Sequence, residues 1–563
     1  MTVEIFKRRG RLVAVAQRLT LILLTTAVVG GSATSGQSDS SYFYPGNLVV
    51  SRSVYDNNPG NIAVGTVLPP NCASTSAGCG TPPVVATNDG TYPDVWNNDL
   101  ADASFGITSK IFLDQITPSG ALLTSLEVPN SSQNGVPPTK DQMVTSFSSK
   151  SELALNLSTD HSYLTFMGYV SPIDAIDVSN SNTPGVIDPT NPVGENAFRA
   201  VAQVDVKGKF KFTETNAYSG NNGRAAILNN SEGANFFYTA GNAGNGGNPQ
   251  PDGVITGAGA QIIDPEVKAL VAQNPASPTP VGSFSITQLG DSADKVGKDT
   301  NFRGLTIFDN VVYTTKGSGG NGINTVYFID TTGLACPTPM GGSGGVGLPE
   351  SFALLPTSGI SYDSSLLQSE GVVPYNMCVL NGLPTALKSK TSFPFGVWFA
   401  NTTTLYVADE GNGDNTFSTT THIYTKAAAQ TKAGLQKWVF DSGMGKWNLA
   451  YTLQAGLQLG VPYTVASYPT GNNPATGLPW APATDGLRNI TGSVNGDGTA
   501  TIYAITSTVS GNGDQGADPN KLVAITDSLS AGGSMPPSGE NFTTLRAAGN
   551  LEVLRGVSFT PGT

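Results

Sequence analysis

The chain has 563 residues, of which 39% are hydrophobic and only 12% are charged, and its formal net charge is −12. Its 67 glycines and 37 prolines favour many short strands joined by turns and exclude coiled coils and helical bundles. The acidic balance excludes a general nucleic-acid binder, which needs clustered basic residues, and the two histidines, His161 and His422, cannot build a multi-histidine metal centre.

The N-terminus has the order of a secretory signal. Basic residues from Lys7 to Arg11 precede an apolar run from Leu19 to Val29, and small residues follow as far as Ala33. The run of about eleven residues is shorter than the roughly 20 that a membrane span needs. We therefore expect cleavage after Ala33, a flexible segment over residues 34–44, a single domain over residues 45–563, and a secreted or periplasmic protein without a membrane span.

The four cysteines are candidate disulfide partners in an exported chain. Cys72 and Cys79 share one loop rich in Gly, Ser and Thr, and Cys336 and Cys378 flank another. Sequence neighbourhood favours these two pairings among the three that four cysteines allow. Neither pair has the spacing of a metal site, so we expect the two pairs to form disulfides that cross-link long loops.

A repeated strand pattern is the strongest signal in the sequence. Four segments start with an arginine and a mostly apolar run, and two more fit with a changed first residue. The six starts are Arg224, Arg303, Arg488, Arg555, Glu152 and Phe395. An aromatic residue in a β-rich run follows five of them after a turn, at Phe166, Tyr238, Tyr313, Tyr406 and Tyr503. Each such pair predicts a β-hairpin.

Third and fourth strands complete each repeat. Apolar strands that end in Asp and a glycine turn follow the hairpins, as in Trp438–Asp441, and another strand starts at Trp447. Four strands per repeat indicate the blades of a β-propeller. Six starts predict six blades, or seven if an insertion hides one, and pairing Asn47–Val50 with Leu554–Phe559 would close the ring. A parallel β-helix has shorter repeats, and a two-domain β-sandwich protein remains the alternative.

The chain resembles secreted bacterial β-propellers of the broad NHL-type and lactonase-like class. The resemblance covers Pro45 to Pro561 and depends on the Arg-Gly-apolar strand starts, the aromatic second strands, and the segment from Leu435 to Trp438 with its partner Trp447. It implies the fold rather than an activity. Propellers of the lactonase type hold a divalent ion through carboxylates and amides of the inner strands. Only Glu152 and Asn489 match those positions here, and this argues against a central calcium.

One face of the propeller is expected to carry the functional loops. The inner strands begin at this upper face, and turns at the lower face are short. The long loops assigned to the upper face are residues 55–105, 170–197, 334–394, 409–434, 455–486 and 507–519. Long loops on a rigid scaffold are usually the working parts.

The inner-strand starts should also converge at the upper mouth of the channel. Arg224, Arg303, Arg488 and Arg555 would then surround one opening together with Glu152. One interpretation is that each arginine bonds a neighbouring blade, as repeat proteins require. The other is that the guanidiniums bind a carboxylate, sulfate or phosphate. Either way, something anionic should lie among them.

Other candidate residues lie in the long loops. Two loop segments carry acidic side chains at the short spacing that calcium ligands need, and the alternative is that these residues form turns. The weak calcium candidates are Asp409, Asp414, Asp514 and Asp518. His422, with Asp409 and Glu410 in the same loop, is a candidate for proton transfer. Trp96 and Trp480 are candidates for ligand-facing aromatic side chains.

These observations predict an exported binding or interaction propeller. Its ligand would be polar and anionic, either a small molecule, a carbohydrate or a protein, and would bind at the channel mouth and upper loops. The chain is expected to be a monomer with no certain cofactor, calcium being the one candidate. The alternative is a secreted hydrolase or lyase that acts on a lactone or an acidic polysaccharide.

Overall fold

The computed structural model describes residues 41–58, 60–66, 106–184, 197–242, 259–263, 265, 281–283, 301–317, 323–329, 349, 355, 377–386, 391–474, 476–512 and 515–563. Residues 41–563 form one compact unit. The predicted signal, Cys72, Cys79, Cys336, Trp96 and Asp514 lie outside the described residues, as does the side chain of Cys378. No helix within the described ranges has the length and hydrophobicity to cross a membrane.

Six small antiparallel sheets form a six-blade β-propeller, as the sequence predicts. Blade 1 contains β1 (Leu48–Val54), β2 (Thr108–Ile116), β3 (Leu122–Glu127), the short β4 (Thr145–Ser146) and the last strand, β27 (Glu552–Phe559). Blade 2 contains β5 (Asn156–Leu157), β6 (Tyr163–Tyr169), β7 (Arg199–Asp205) and β8 (Phe210–Thr215). Blade 3 contains β9 (Gly223–Asn229), β10 (Phe236–Gly241), β11 (Ala260–Ile263) and β12 (Val281–Ser283).

The second half of the ring repeats this order. Blade 4 contains β13 (Phe302–Phe308), β14 (Val311–Lys316), β15 (Thr325–Ile329) and β16 (Met377–Val379). Blade 5 contains β17 (Pro394–Asn401), β18 (Thr404–Asp409), β21 (Gly434–Asp441) and β22 (Lys446–Leu453). Blade 6 contains β23 (Ala483–Val494), β24 (Thr499–Val509), β25 (Lys521–Ser528) and β26 (Thr543–Ala547). A hairpin of β19 (Phe417–Ser418) and β20 (Ile423–Tyr424), the single-turn α1 (Thr425–Ala428) and a 3-10 turn (Val178–Asn180) lie in the loops.

The two ends of the chain close the ring in blade 1. β27 is the innermost strand and pairs antiparallel with β1, with Leu48 opposite Phe559 and Val54 opposite Glu552. The predicted closure is therefore confirmed. The lower turn of blade 2 reinforces it, because Gly562 N donates to His161 O at 2.8 Å.

The hydrophobic core is divided among the blade interfaces. Tyr313 and Phe328 of blade 4 pack with Phe399 and Trp438 of blade 5, and equivalent clusters join every other pair of neighbouring blades. Both faces of each sheet are covered in this way. The middle strands, such as β10 and β15, are accordingly buried along their whole length, whereas outer strands such as β3 and β8 are partly exposed.

A glycine follows three of the six inner-strand starts, Arg303, Phe395 and Arg555, and allows neighbouring blades to approach closely there. A Cβ on Gly304 would lie 2.1 Å from the carbonyl oxygen of Phe395, and one on Gly556 would lie 2.3 Å from that of Leu153, each in the next blade. A hydroxyl of the second strand spans the same gap: Ser51 Oγ receives a hydrogen bond from Gly556 N and donates to Leu153 O, both at 2.8 Å. The repeated Arg-Gly pair is therefore partly a blade-packing motif.

The longest predicted upper loop is placed differently by the structure. β16 lies within residues 334–394, so the insertion after β15 joins the third and fourth strands of blade 4. Since strands alternate in direction, the end of β15 and the start of β16, where Ile329 pairs with Met377, lie at the lower face, where the first and second strands also turn. Leu355 from this insertion packs, as Ile307 does, against the hydrophobic cluster between blades 3 and 4. The assignment of the whole range to the upper face was wrong because no sequence signal marked the short strand β16.

Candidate functional site: the ends of the central channel

Starts of the inner strands meet at the upper end of the channel. Arg303 on β13 and Arg488 on β23 both contact the carboxylate of Glu410, which follows β18, at N–O distances of 3.3 Å. Arg303 also donates to Ser151 Oγ at 2.8 Å, and its guanidinium carbon lies 5.1 Å from the centre of the Phe395 ring. Side chains from blades 2, 4, 5 and 6 are thus joined in one polar layer.

Glu410 is the anion at the centre of this layer. Burial alone would raise its pKa, but the guanidiniums of Arg303 and Arg488 and the ammonium of Lys150 outweigh burial and hold the pKa below its usual value. Glu410 therefore stays ionised and neutralises part of the charge of both arginines. Lys150 is half-buried at the same mouth, where its aliphatic chain lies beside Gly516.

Arg224 on β9 bonds neutral oxygens within the described residues. Its Nε donates to Asn222 Oδ1 and its Nη1 donates to Phe302 O, each at 3.0 Å, and Nη1 also contacts the side chain of Asn301. Burial, and then repulsion from the Arg303 guanidinium, lower the pKa of Arg224 to about 9. The arginines of the layer therefore lie close enough to repel one another.

Glu152 and Arg555 lie in the same buried layer, but their described hydrogen bonds are to residues other than Glu410. Thr145 Oγ1 donates to Glu152 Oε2 at 2.5 Å, and the Tyr169 hydroxyl donates to Oε1. Arg555 Nε donates to Ser53 Oγ at 3.2 Å, and its Nη2 donates to a backbone carbonyl that precedes blade 2. The blade-linking interpretation of the repeated arginines agrees with these contacts, since the four arginines are only 2–6% exposed.

Two buried carboxyls hold the loops above the layer. Asp409 Oδ2 accepts hydrogen bonds from Phe393 N at 2.8 Å and Gln436 Nε2 at 3.1 Å. Asp485 accepts from Gly413 N at 2.8 Å and from Gln430 Nε2 at 2.5 Å. Burial raises the pKa of Asp409 to about 6 and that of Asp485 to about 7. Both carboxyls carry a proton far more readily than Glu410 does.

The weak calcium candidates act as hydrogen-bond acceptors in loops. Asp414 Oδ1 accepts from Thr416 N at 3.0 Å and from Thr416 Oγ1 at 2.6 Å, which is the pattern of an Asx turn. Asp518 Oδ1 accepts from the Tyr468 hydroxyl at 2.9 Å and from Ser510 Oγ at 3.1 Å. Among the described residues, no three His, Cys, Asp or Glu side chains are grouped to hold a metal ion.

The remaining upper-face candidates are separated from the channel layer. His422 is exposed in the β19–β20 turn with φ 56°, and its described hydrogen bond is a backbone bond to Ser418 O at 2.8 Å. Trp480 was predicted to face a ligand, but it is buried in a cluster with Tyr55 and Tyr468. That prediction is corrected, because loop membership does not reveal whether another loop packs over a side chain.

A cavity of about 560 Å³ opens at the lower end of the channel. Every blade contributes to its wall, with Ile227, Phe308, Trp398 and Phe559 among the lining residues. Among the described residues, ion pairs occupy the upper end of the channel and the cavity lies at the lower end. His161 lies at the lower rim, where its Nδ1 is 3.0 Å from the carbonyl oxygen of Thr563.

Arg199 is a structural residue that the repeat search missed. It is fully buried on β7, and its guanidinium donates to Ser181 O at 2.7 Å and Ala197 O at 2.9 Å while lying over the Tyr169 ring. Burial lowers the pKa of Arg199 to about 10. The available signal was an arginine within an otherwise apolar strand, outside the position that repeats.

No protein-family model matches the sequence, and no curated protein is significantly similar to it. Among solved structures, extracellular domains 1–2 of Drosophila Semaphorin 1a are 9% identical, with 75% of this chain and 83% of that chain covered and a TM-score of 0.27. An S. cerevisiae Dbp5 structure with bound Nup159 and Gle1 is 8% identical, with 86% and 96% covered and a TM-score of 0.24. Similarities this weak carry no argument about function, so a functional proposal depends on the fold and the channel alone.

Proposed function

We propose that this chain is an exported binding or interaction propeller that recognises a polar, anionic ligand at the upper mouth of its channel. The observation that carries the proposal is the charge of the buried layer. Arg303 interacts electrostatically with both Arg224 and Arg488, and Glu410 is shared between Arg303 and Arg488. Like charges in a buried layer are costly, and an oxyanion is the natural partner of a guanidinium.

Lys150 offers the accessible part of such a site. It is half-buried at the mouth and interacts electrostatically with Glu410, so an incoming oxyanion would meet its ammonium first. The long loops above the layer would supply the shape of the site. The hydrolase or lyase alternative gains less support, because Asp409 and Asp485 are each 1% exposed and already bond loop donors.

Thermal unfolding in the presence of ligands tests the proposal. Acidic sugars, lactones, phosphate, sulfate and calcium would each be added to the purified protein, since a ligand that binds only the folded state raises Tm. We expect an anion to raise Tm in the wild type and in a Lys211→Gln control, which alters an exposed lysine, but less in Lys150→Gln. No shift with any anion, or the same shift in both variants, would contradict an anion site at this mouth.

Export is a separate part of the proposal. It depends on the basic, apolar and small-residue order of residues 1–33. Expression in a secreting host, followed by N-terminal sequencing of the extracellular or periplasmic protein, should give a chain that starts near residue 34. Retention of the whole chain in the cytoplasm would contradict export.

A further inference from the structure

The interface between blades 5 and 6 contains a buried lysine–carboxylate pair. Lys437 on β21 and Asp527 on β25 are both fully buried, and Lys437 Nζ lies 2.9 Å from Asp527 Oδ2. Apolar side chains such as Leu435, Ile525 and Phe542 form the surrounding core. A nucleophilic nitrogen and a carboxyl group are thus held together where water is excluded.

Two tyrosines hold the carboxylate of Asp527 in place. The Tyr406 hydroxyl donates to Oδ2, and the Tyr451 hydroxyl donates to Oδ1 at 2.7 Å. Lys437 Nζ also donates to the Tyr451 oxygen at 3.1 Å and to Ser528 O at 2.5 Å. Burial and the Asp527 carboxylate raise the pKa of both tyrosines, so both hydroxyls remain hydrogen-bond donors.

A second carboxyl group lies against the first. Glu540 Oε1 accepts a hydrogen bond from Ser528 N at 3.0 Å, and within the described residues its buried Oε2 receives none. The neighbour of this carboxyl is the Asp527 carboxylate, and burial together with that neighbour raises the pKa of Glu540 to about 7. A proton on Glu540, donated towards Asp527, satisfies both groups.

This cluster contains more ionisable and hydrogen-bonding groups than a salt bridge needs. Burying an ammonium and a carboxylate is costly for each ion, and a second acidic group beside the pair adds to that cost. Conversion of the pair to an amide would remove both charges. A fixed nucleophile beside a polarised carbonyl group also has a high effective concentration.

We propose that Lys437 and Asp527 condense to form an amide bond between Nζ and Cγ, with Glu540 as the proton carrier. Proton transfer within the cluster leaves Lys437 as a free amine and Asp527 as a neutral acid. Nζ then attacks Cγ, and the tyrosine hydroxyls stabilise the negative oxygen that develops.

The reaction balances without any cofactor. One Cγ–O bond breaks as the C–N bond forms, and the departing oxygen leaves as water with two protons that derive from the ammonium. Glu540 first gives its proton to the leaving oxygen, then takes one from the attacking nitrogen, and so ends protonated as it began. Glu540 is only partly buried, so water can depart on that side. The product is a covalent link between neighbouring blades.

Mass spectrometry of the intact, denatured and reduced wild-type protein tests the proposal directly. The mass should be lower than that of the processed sequence by one water molecule. Trypsin should fail to cleave after Lys437, and a branched peptide pair should contain Lys437 and Asp527. A wild-type protein with its full mass and normal cleavage after Lys437 would overturn the proposal, and this result does not depend on any variant.

Three variants then assign the roles. Lys437→Arg keeps a positive charge without the amine and should have its full mass, whereas the matched Lys446→Arg variant should still lose one water. Glu540→Gln keeps the shape of the side chain but cannot carry the proton, so the fraction that has lost water should fall several-fold. Water loss in Lys437→Arg would overturn the bond, and undiminished water loss in Glu540→Gln would overturn the role of Glu540.

Discussion

Removal of the Glu410 charge should expose how much the upper layer depends on one anion. In Glu410→Gln the side chain keeps its shape, but Arg303 and Arg488 lose the carboxylate that each contacts at 3.3 Å. All three side chains are at most 10% exposed, so solvent cannot replace the lost partner. Breaking a buried pair by removing one member costs about 3–5 kcal/mol, and we expect the upper part of that range because one carboxylate serves two guanidiniums.

The assay is denaturant unfolding followed by tryptophan fluorescence, with a check that the slope of the transition is unchanged. A matched variant, Glu127→Gln, removes the same charge from an ion pair with Lys110 in which both side chains are about one-third exposed. Such a surface pair is worth about 0–1 kcal/mol. Equal losses of unfolding free energy in the two variants would refute the conclusion that Glu410 neutralises the buried layer.

Three further predictions concern packing and pH. Gly304→Ala should lower the free energy of unfolding by about 1–3 kcal/mol, because the new Cβ would meet the Phe395 carbonyl oxygen. In the control Gly496→Ala the new Cβ has nothing within 4 Å, so the free energy of unfolding should change by less than about 0.5 kcal/mol. Equal effects of the two variants would contradict the close blade contact. Burial raises the pKa of Asp518 to about 7, so the ionised Asp518 destabilises the folded state increasingly as pH rises from about 4 to 7. Asp518→Asn should therefore increase the free energy of unfolding by up to about 4 kcal/mol at about pH 8 and change it little at about pH 4. Urea unfolding at both pH values would test this. The pKa of Glu410 is lowered, so its contribution is complete above the ordinary glutamate pKa of about 4.3 and is lost as pH falls through the folded-state value; the acid limb of the stability profile should accordingly be shallower in Glu410→Gln than in the wild type.

The blades could be predicted from sequence because their cues are local. An arginine, a glycine and an apolar run recur at Arg303 and Arg555, and a close blade contact requires that glycine wherever it occurs. Closure of the ring followed from one unmatched strand at each end of the chain. These features repeat, so several weak signals add to a strong one.

The contacts of the channel layer were harder to predict. The sequence indicated that an anion should lie among the arginines, but Glu410 was singled out only for proton transfer with His422. Its role depends on where the loop after β18 returns towards the axis, and no local residue pattern encodes that path. The buried cluster of Lys437, Asp527 and Glu540 also joins positions distant in sequence, so only the folded chain brings them together.

The position of the two chain ends determines how the ring responds to force. Leu48 begins β1 directly opposite Phe559 at the end of β27, so the two ends of the chain leave neighbouring strands at the same end of the sheet. Tension between the termini would act along the hydrogen bonds, which lie perpendicular to antiparallel strands, and would load them one pair at a time. The β1–β27 pair of blade 1 would therefore separate one hydrogen-bonded residue pair after another at low force. The blades on the far side of the ring would stay folded until blade 1 had opened.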